Sequence, residues 1–169
     1  MHLYVAGPMT GIKGFNFQNF VDADAALLAG GHTTFNPAVH EIEQGIVPWP
    51  EILEMEGTQE ELAALDHEFS FSEALVRDMT AIAEADGVIL LPGWQNSSGA
   101  TLEVAAALWT GKRILTMEYS EHQQGWMVGE LEKDEVYYIL ANFFLGNISQ
   151  HTMDNLVDGA RQLLSEEEK

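Results

Sequence analysis

The run Gly87-Val88-Ile89-Leu90-Leu91 holds five residues without one polar side chain. A strand that is apolar on both faces needs cover on both sides, and parallel sheets provide it. Shorter strand candidates are HLYVA (2–6), HTTFN (32–36, stopped by Pro37) and ILTM (114–117). Helical spacing fills the gaps between them. Asn16 stands where it can cap a helix, and Phe17, Phe20, Val21, Leu27 and Leu28 share one face up to Gly30-Gly31. Phe71, Leu75, Met79 and Ile82 form a second stripe ending near Ala85, with Ser70 and Glu73 at capping-box spacing before it. A third helix is predicted from about Gly99 to Thr110. The alternation specifies an α/β domain, doubly wound (flavodoxin-like or Rossmann-like), with a mostly parallel sheet and helices on both faces. In the flavodoxin-like order the strand sequence reverses between the first and third strands, and ligands sit beyond that point. The loops GPMTG (7–11) and PGWQNSSG (92–99) follow those two strands, so both should line one crevice.

Outside this frame the pattern is looser. Residues 41–69 read as an acidic insertion or lid, broken by Pro48-Trp49-Pro50. Thr58 and Glu61 repeat the capping-box spacing and predict a short helix over 59–66. The α/β domain is expected to span 1–117. A mainly helical extension is expected over 118–169. Val136, Tyr137, Ile139, Leu140, Phe143 and Phe144 make one wide apolar helix face there. Met153, Leu156, Val157, Ala160, Leu163 and Leu164 make another. Such surface needs cover, either by the domain itself or by a partner subunit in a homo-oligomer (dimer or larger).

Composition excludes several classes. The chain has no cysteine, so thiolate metal sites, disulfides and cysteine nucleophiles are ruled out. Its formal charge is −20, with no Lys or Arg between Lys13 and Arg77. That field opposes nucleic-acid backbones, so no direct nucleic-acid binding is expected. Charge alone fits either a solubilising surface or an acidic decoy for a basic partner. No apolar run is long enough to span a bilayer, and MHLYVAGPM lacks signal-peptide character. A cytoplasmic location, the host cytoplasm for a phage-encoded chain, is expected. GPMTG lacks the Walker spacing and lysine, and neither GxGxxG nor GxSxG occurs. His40-Glu41-x-Glu43 and Asp66-His67-Glu68 are not metal-ligand spacings. No cofactor is expected.

Two carboxylates stand out. Glu103 is read as the acid of the first turn of its helix, aimed back over Gly99, because helical side chains lean toward the N-terminus. A dipole contribution of roughly 0.3–1 kcal/mol is the plain explanation of such an acid. Asp78 falls on the stripe of Leu75, Met79 and Ile82, where an unpaired buried acid is costly. Pairing with Arg77 or facing the crevice would each account for it. Two carboxylates flanking one pocket suit a retaining glycosidic reaction. Tyr4 is within reach of the crevice, and Trp94 could stack on a base or cover its loop.

The segments YVAGPMTG, NF-x-x-F, NPA, RDM-x-AI-x-x-ADGVILLPGW and S-x-GA-x-x-E resemble a family of small phage and bacterial domains similar to nucleoside 2-deoxyribosyltransferases. The resemblance runs from about His2 to Thr116. The wider superfamily also holds deoxynucleoside-monophosphate N-glycosidases. The resemblance implies that Glu103 is a nucleophile toward C1′ of a deoxyribose, that Asp78 assists departure of the base, and that Tyr4 orients Glu103. Gly7, Pro8, Met9, Thr10 and Gly11, with Ser97, Ser98 and Gly99, would hold the sugar or a 5′-phosphate. Monophosphate-cleaving relatives carry an arginine where this chain has Thr10. The expected function is cleavage or transfer of the N-glycosidic bond of a 2′-deoxynucleoside or its 5′-monophosphate. The alternatives are a non-catalytic nucleotide-binding module and an acidic interaction protein, decoy or inhibitor, on the same fold.

Overall fold

The computed structural model describes residues 1–65 and 71–145. The chain divides into two compact units, Met1–Glu130 and Leu131–Lys169. The first contains β1 (His2–Ala6), α1 (Phe17–Ala29), β2 (Thr33–Phe35), α2 (Pro37–Glu43), α3 (Gln59–Leu65), α4 (Phe71–Glu84), β3 (Gly87–Leu90), α5 (Ser98–Trp109), β4 (Arg113–Ser120) and β5 (Gly125–Glu130). The sheet order is β2-β1-β3-β4-β5. The first three pairings are parallel, and β5 lies antiparallel to β4. The reversal falls between β1 and β3, as the flavodoxin-like order requires. No helix among the described residues is long and apolar enough to cross a membrane.

The core follows the two-sided pattern. Leu3, Val5, Ile89 and Leu91 join Phe15, Phe17, Phe20 and Leu27 in one buried cluster. Leu28, assigned by its spacing to the same face, is 51% exposed. Asn16 does not cap α1 with its side chain. It adopts a left-handed backbone conformation and donates from Nδ2 to the Pro8 carbonyl at 2.8 Å, which pins the first glycine loop.

Residues 41–69, expected as an insertion or lid rather than core, pack into the core in their described part. Asn36 accepts from the Ala38 and Val39 amides and starts α2, with Pro37 in its first turn. Val47 and Ile52 enter the main core cluster, and Ile42, Ile46, Leu53 and Leu62 pack against it. The Gly11 and Gly14 amides donate to the Gly57 and Met55 carbonyls, joining this segment to the first glycine loop. At Gly57 the backbone has φ +81°, and a Cβ would fall 2.0 Å from the Ile12 carbonyl oxygen, so no other residue fits. The Thr58–Glu61 capping box forms reciprocally. The Thr58 amide donates to Glu61 at 2.9 Å, and the Glu61 amide donates to Thr58 Oγ1 at 3.2 Å.

The domain boundary moves. Position 117 lies inside β4, and residues 125–130 form a fifth strand instead of beginning a helical extension. Arg113 clamps the last residue of that strand, donating from Nε and Nη2 to the two carboxylate oxygens of Glu130 at 2.9 and 2.7 Å. The second unit contains α6 (Lys133–Leu145), on which Val136 and Leu140 are buried while Tyr137 is exposed. The second amphipathic helix expected around 153–164, and the Ser70 end of the α4 capping box, lie outside the described residues.

Candidate active site

Tyr4 and Glu103 come from β1 and from the helix after β3, the two strands at the sheet's switch point, while Asp78 and Arg77 come from the helix before β3. Tyr4 is fully buried on β1, between Phe35 of β2 and Val88 of β3. Its ring stacks on Phe35 at 5.8 Å, and Phe35 stacks in turn on His40 at 5.6 Å. Packing therefore fixes the direction of the phenol. The Tyr4 hydroxyl donates to Glu103 Oε1 at 2.7 Å.

Glu103 rides on α5, which begins at Ser98 with Ser97 as N-cap, its hydroxyl accepting from the Ala100 amide at 3.3 Å. The start at Ser98 puts Glu103 in the second turn, not the first. Dipole stabilisation fades beyond the first turn, so the plain explanation for this acid weakens. The Gly99 position beneath it is open, since a Cβ there would meet only Ser97 Oγ, at 3.8 Å.

Asp78 and Arg77 come from α4. Arg77 donates from Nε to Asp78 Oδ1 at 2.8 Å and from Nη2 to Glu41 Oε1 at 3.4 Å. Its guanidinium carbon stands 5.9 Å from the Phe35 ring centroid. Both readings of Asp78 hold together, because it is paired with Arg77 and also lines the cavity. The described side chains of the α4 stripe divide. Ile82 is buried, whereas Leu75, expected in the core, is 46% exposed at the cavity's edge.

Glu41, Arg77, Asp78 and Glu103 line one cavity of about 480 Å³. Its lining includes Gly7, Pro8, Met9 and Thr10 from the first glycine loop, and Ser97, Ser98 and Gly99 from the second. Three expected members are missing. Tyr4 is fully buried and bears on the cavity only through its hydrogen bond to Glu103. Gly11 is not on the lining, and its amide is committed to the Gly57 carbonyl. Trp94 is buried beneath its loop, where its ring offers no stacking surface to the cavity. Spacing missed Glu41 as a site residue. It is 6% exposed, pairs with Arg77 and lines the cavity. The available signal was Asn36-Pro37 as a helix start, which puts Ala38 and Glu41 on one inward face.

The electrostatics is that of a site that resists negative charge. Burial pushes Glu103 up to about 7, helped by the Asp78 charge and opposed by the Tyr4 hydrogen bond. Burial likewise pushes Glu41 up to about 7, against the pull of Arg77. Asp78 is raised by burial, with Arg77 again opposing. Tyr4 is raised well above its ordinary value, by burial first and then by Glu103, so it remains a phenol and a donor. Burial works against the Arg77 charge, but Asp78 and Glu41 outweigh it and strengthen its hold on the proton. Among the described residues no group of three His, Asp or Glu side chains is placed to hold a metal ion.

The arrangement is a carboxylate held by a phenol beside an empty glycine surface, faced by a second, ion-paired carboxylate. The family model that fits the sequence covers residues 1–116. The chain belongs to the DUF4406 family, a domain of unknown function. No curated protein matches it. A solved structure of a 2-deoxyribosyltransferase from the psychrotolerant bacterium Bacillus psychrosaccharolyticus matches with TM-score 0.43 and 17% identity. The match covers 90% of this chain and 96% of that one. That likeness is too slight to carry an argument about activity. In this DUF4406 domain, both glycine loops, Asp78 and Glu103 lie inside the residues the family model covers.

Proposed function

We propose that the chain cleaves or transfers the N-glycosidic bond of a 2′-deoxynucleoside or its 5′-monophosphate. The observation that carries this reading is the 2.7 Å hydrogen bond from Tyr4 to Glu103 beside the open surface of Gly99. It holds one carboxylate oxygen and leaves the other available to an electrophile in the cavity. The motif resemblance over residues 2–116 supports the same assignment.

In the first step a Glu103 carboxylate oxygen attacks C1′ while the C1′–N bond breaks. The bonding electron pair leaves on the base nitrogen, which takes a proton. Asp78 lines the same cavity with a raised pKa, and it delivers that proton when it is the protonated partner. A deoxyribosyl ester of Glu103 results. In the second step a base nitrogen or a water oxygen attacks C1′, the ester C–O bond breaks, and the Glu103 carboxylate returns. The attacking base or water gives up one proton, which returns to Asp78, so transfer leaves the sugar on the new base and hydrolysis leaves it as free deoxyribose. Two displacements at C1′ give net retention. Arg77 holds Asp78 in place throughout.

The test is base release, followed chromatographically over a panel of deoxynucleosides and their 5′-monophosphates, with and without an acceptor base. Wild-type protein should release or exchange base, and Glu103→Gln should lose that activity while staying folded. A nucleotide that stabilises the protein and is recovered intact across the panel would replace this reading with a binding module.

A further inference from the structure

Resting on the glycosidic reading, we infer that the site takes its ligand as the uncharged deoxynucleoside and turns away the 5′-monophosphate. The argument is an inventory of charge. Three carboxylates line the cavity: Glu41, Asp78 and Glu103. Among the described residues Arg77 is the one Lys or Arg on that lining. Its guanidinium is already shared between Asp78 and Glu41. It sits on α4 with Asp78, facing Glu41 of α2, and not on either glycine loop. The loops contribute residues 7–10 and 96–99 to the lining, none of them charged.

The remaining attraction for an anion is the start of α5, equivalent to about half a positive charge. A nucleotide monophosphate carries close to two negative charges at neutral pH. Ser97 Oγ accepts from the Ala100 amide, and its O–H is left as a single neutral donor, with no charge to set against a dianion. The surroundings add nothing favourable, since the chain as a whole carries −20. Burial already makes Glu41 and Glu103 reluctant to ionise, and an added phosphate dianion would meet the same resistance. A sugar hydroxyl meets none of it, and the carboxylates and loop amides can bind it directly.

The experiment is calorimetric binding of one deoxynucleoside and its own 5′-monophosphate to the full chain at pH 8 and low salt, with base release measured in parallel. Thr10 is exposed on the cavity rim, so Thr10→Arg adds the missing cation there and Thr10→Gln is the neutral control. The nucleoside should bind at least about tenfold more tightly, with the ratio narrowing as salt screens the repulsion. Thr10→Arg should narrow it as well, and Thr10→Gln should not. Equal or tighter binding of the monophosphate overturns the inference and leaves the glycosidic reading standing. A tenfold preference for the nucleoside without base release upholds the inference and removes the reaction. Failure of both ligands to bind at millimolar concentration overturns both.

Discussion

Replacing Glu103 by Gln should make the protein more stable at pH 8 and change it little at pH 5. The reason is proton linkage. Glu103 has a folded-state pKa of about 7 against an ordinary 4.5. Between those values the folded chain binds more protons than the unfolded chain, so stability falls as pH rises. The full cost is reached above pH 7 and disappears below pH 4.5. Integrating over the shift, ionised Glu103 costs the fold about 3 kcal/mol at pH 8 and at most about 1 kcal/mol at pH 5. Glutamine keeps the shape and the Oε1 acceptor for Tyr4 but never ionises. The Glu103→Gln gain should therefore grow by about 2 kcal/mol from pH 5 to pH 8. Glu41, also raised to about 7, and the overall negative charge depress both proteins alike and cancel in the difference. Urea unfolding of both proteins at the two pH values, with slopes compared, reads the quantity directly. A difference that does not change with pH refutes the argument, and so does a variant that becomes relatively weaker at pH 8.

Tyr4→Phe removes a hydrogen bond to a charged acceptor, worth about 1.5–3 kcal/mol. The Glu103 pKa should rise by about 1–2 units from its value near 7, carrying the ascending limb of the pH–rate profile with it. The fold should persist, since the ring and its Phe35 stack are kept. Arg77→Gln leaves the buried acids Glu41 and Asp78 without a cation and should cost about 3–5 kcal/mol at pH 8. Protonation relieves that loss at pH 5, so unfolding curves at the two values should diverge at high pH and converge at low pH.

Strand-level features were legible because they rest on local composition. Gly87–Leu91 can only be a doubly covered strand, and the two glycine loops then converge once the strand order is assumed. Helical geometry set Glu103 over Gly99 but one turn too early, and its role as a nucleophile is implied only by the motif resemblance. The Thr58–Glu61 box was legible from spacing. What escaped depended on partners far away in the chain. β5 is mostly exposed, contains two glycines and exists through its pairing with β4. Its own sequence carries little alternation to mark it. Asn16 reads as a helix cap in isolation, but the Pro8 carbonyl eight residues back takes its side chain instead. Leu28 and Leu75 have core spacing, yet a helix stripe says nothing of where its neighbours end. Glu41 looked like one more acid in an acidic stretch, since only folding brings Arg77 to it.

That stretch changes the meaning of the site. Residues 37–65 fill core space with Ile52 and Val47, and α2 of the same segment turns Glu41 inward against Arg77. The pocket is thus closed on one side by structure that the packing already requires, and it needs no separate lid to supply its third acid. A second-turn acid such as Glu103 receives little from the helix dipole, and ionising it where it stands opposes folding. The neighbouring positions Ala100, Val104 and Ala107 show what packing alone places on that helix's buried side. The fold therefore gives no reason for a carboxylate at 103. The proposed reaction would supply one, since the Tyr4 hydroxyl donates to that carboxylate and Gly99 leaves open space beside it.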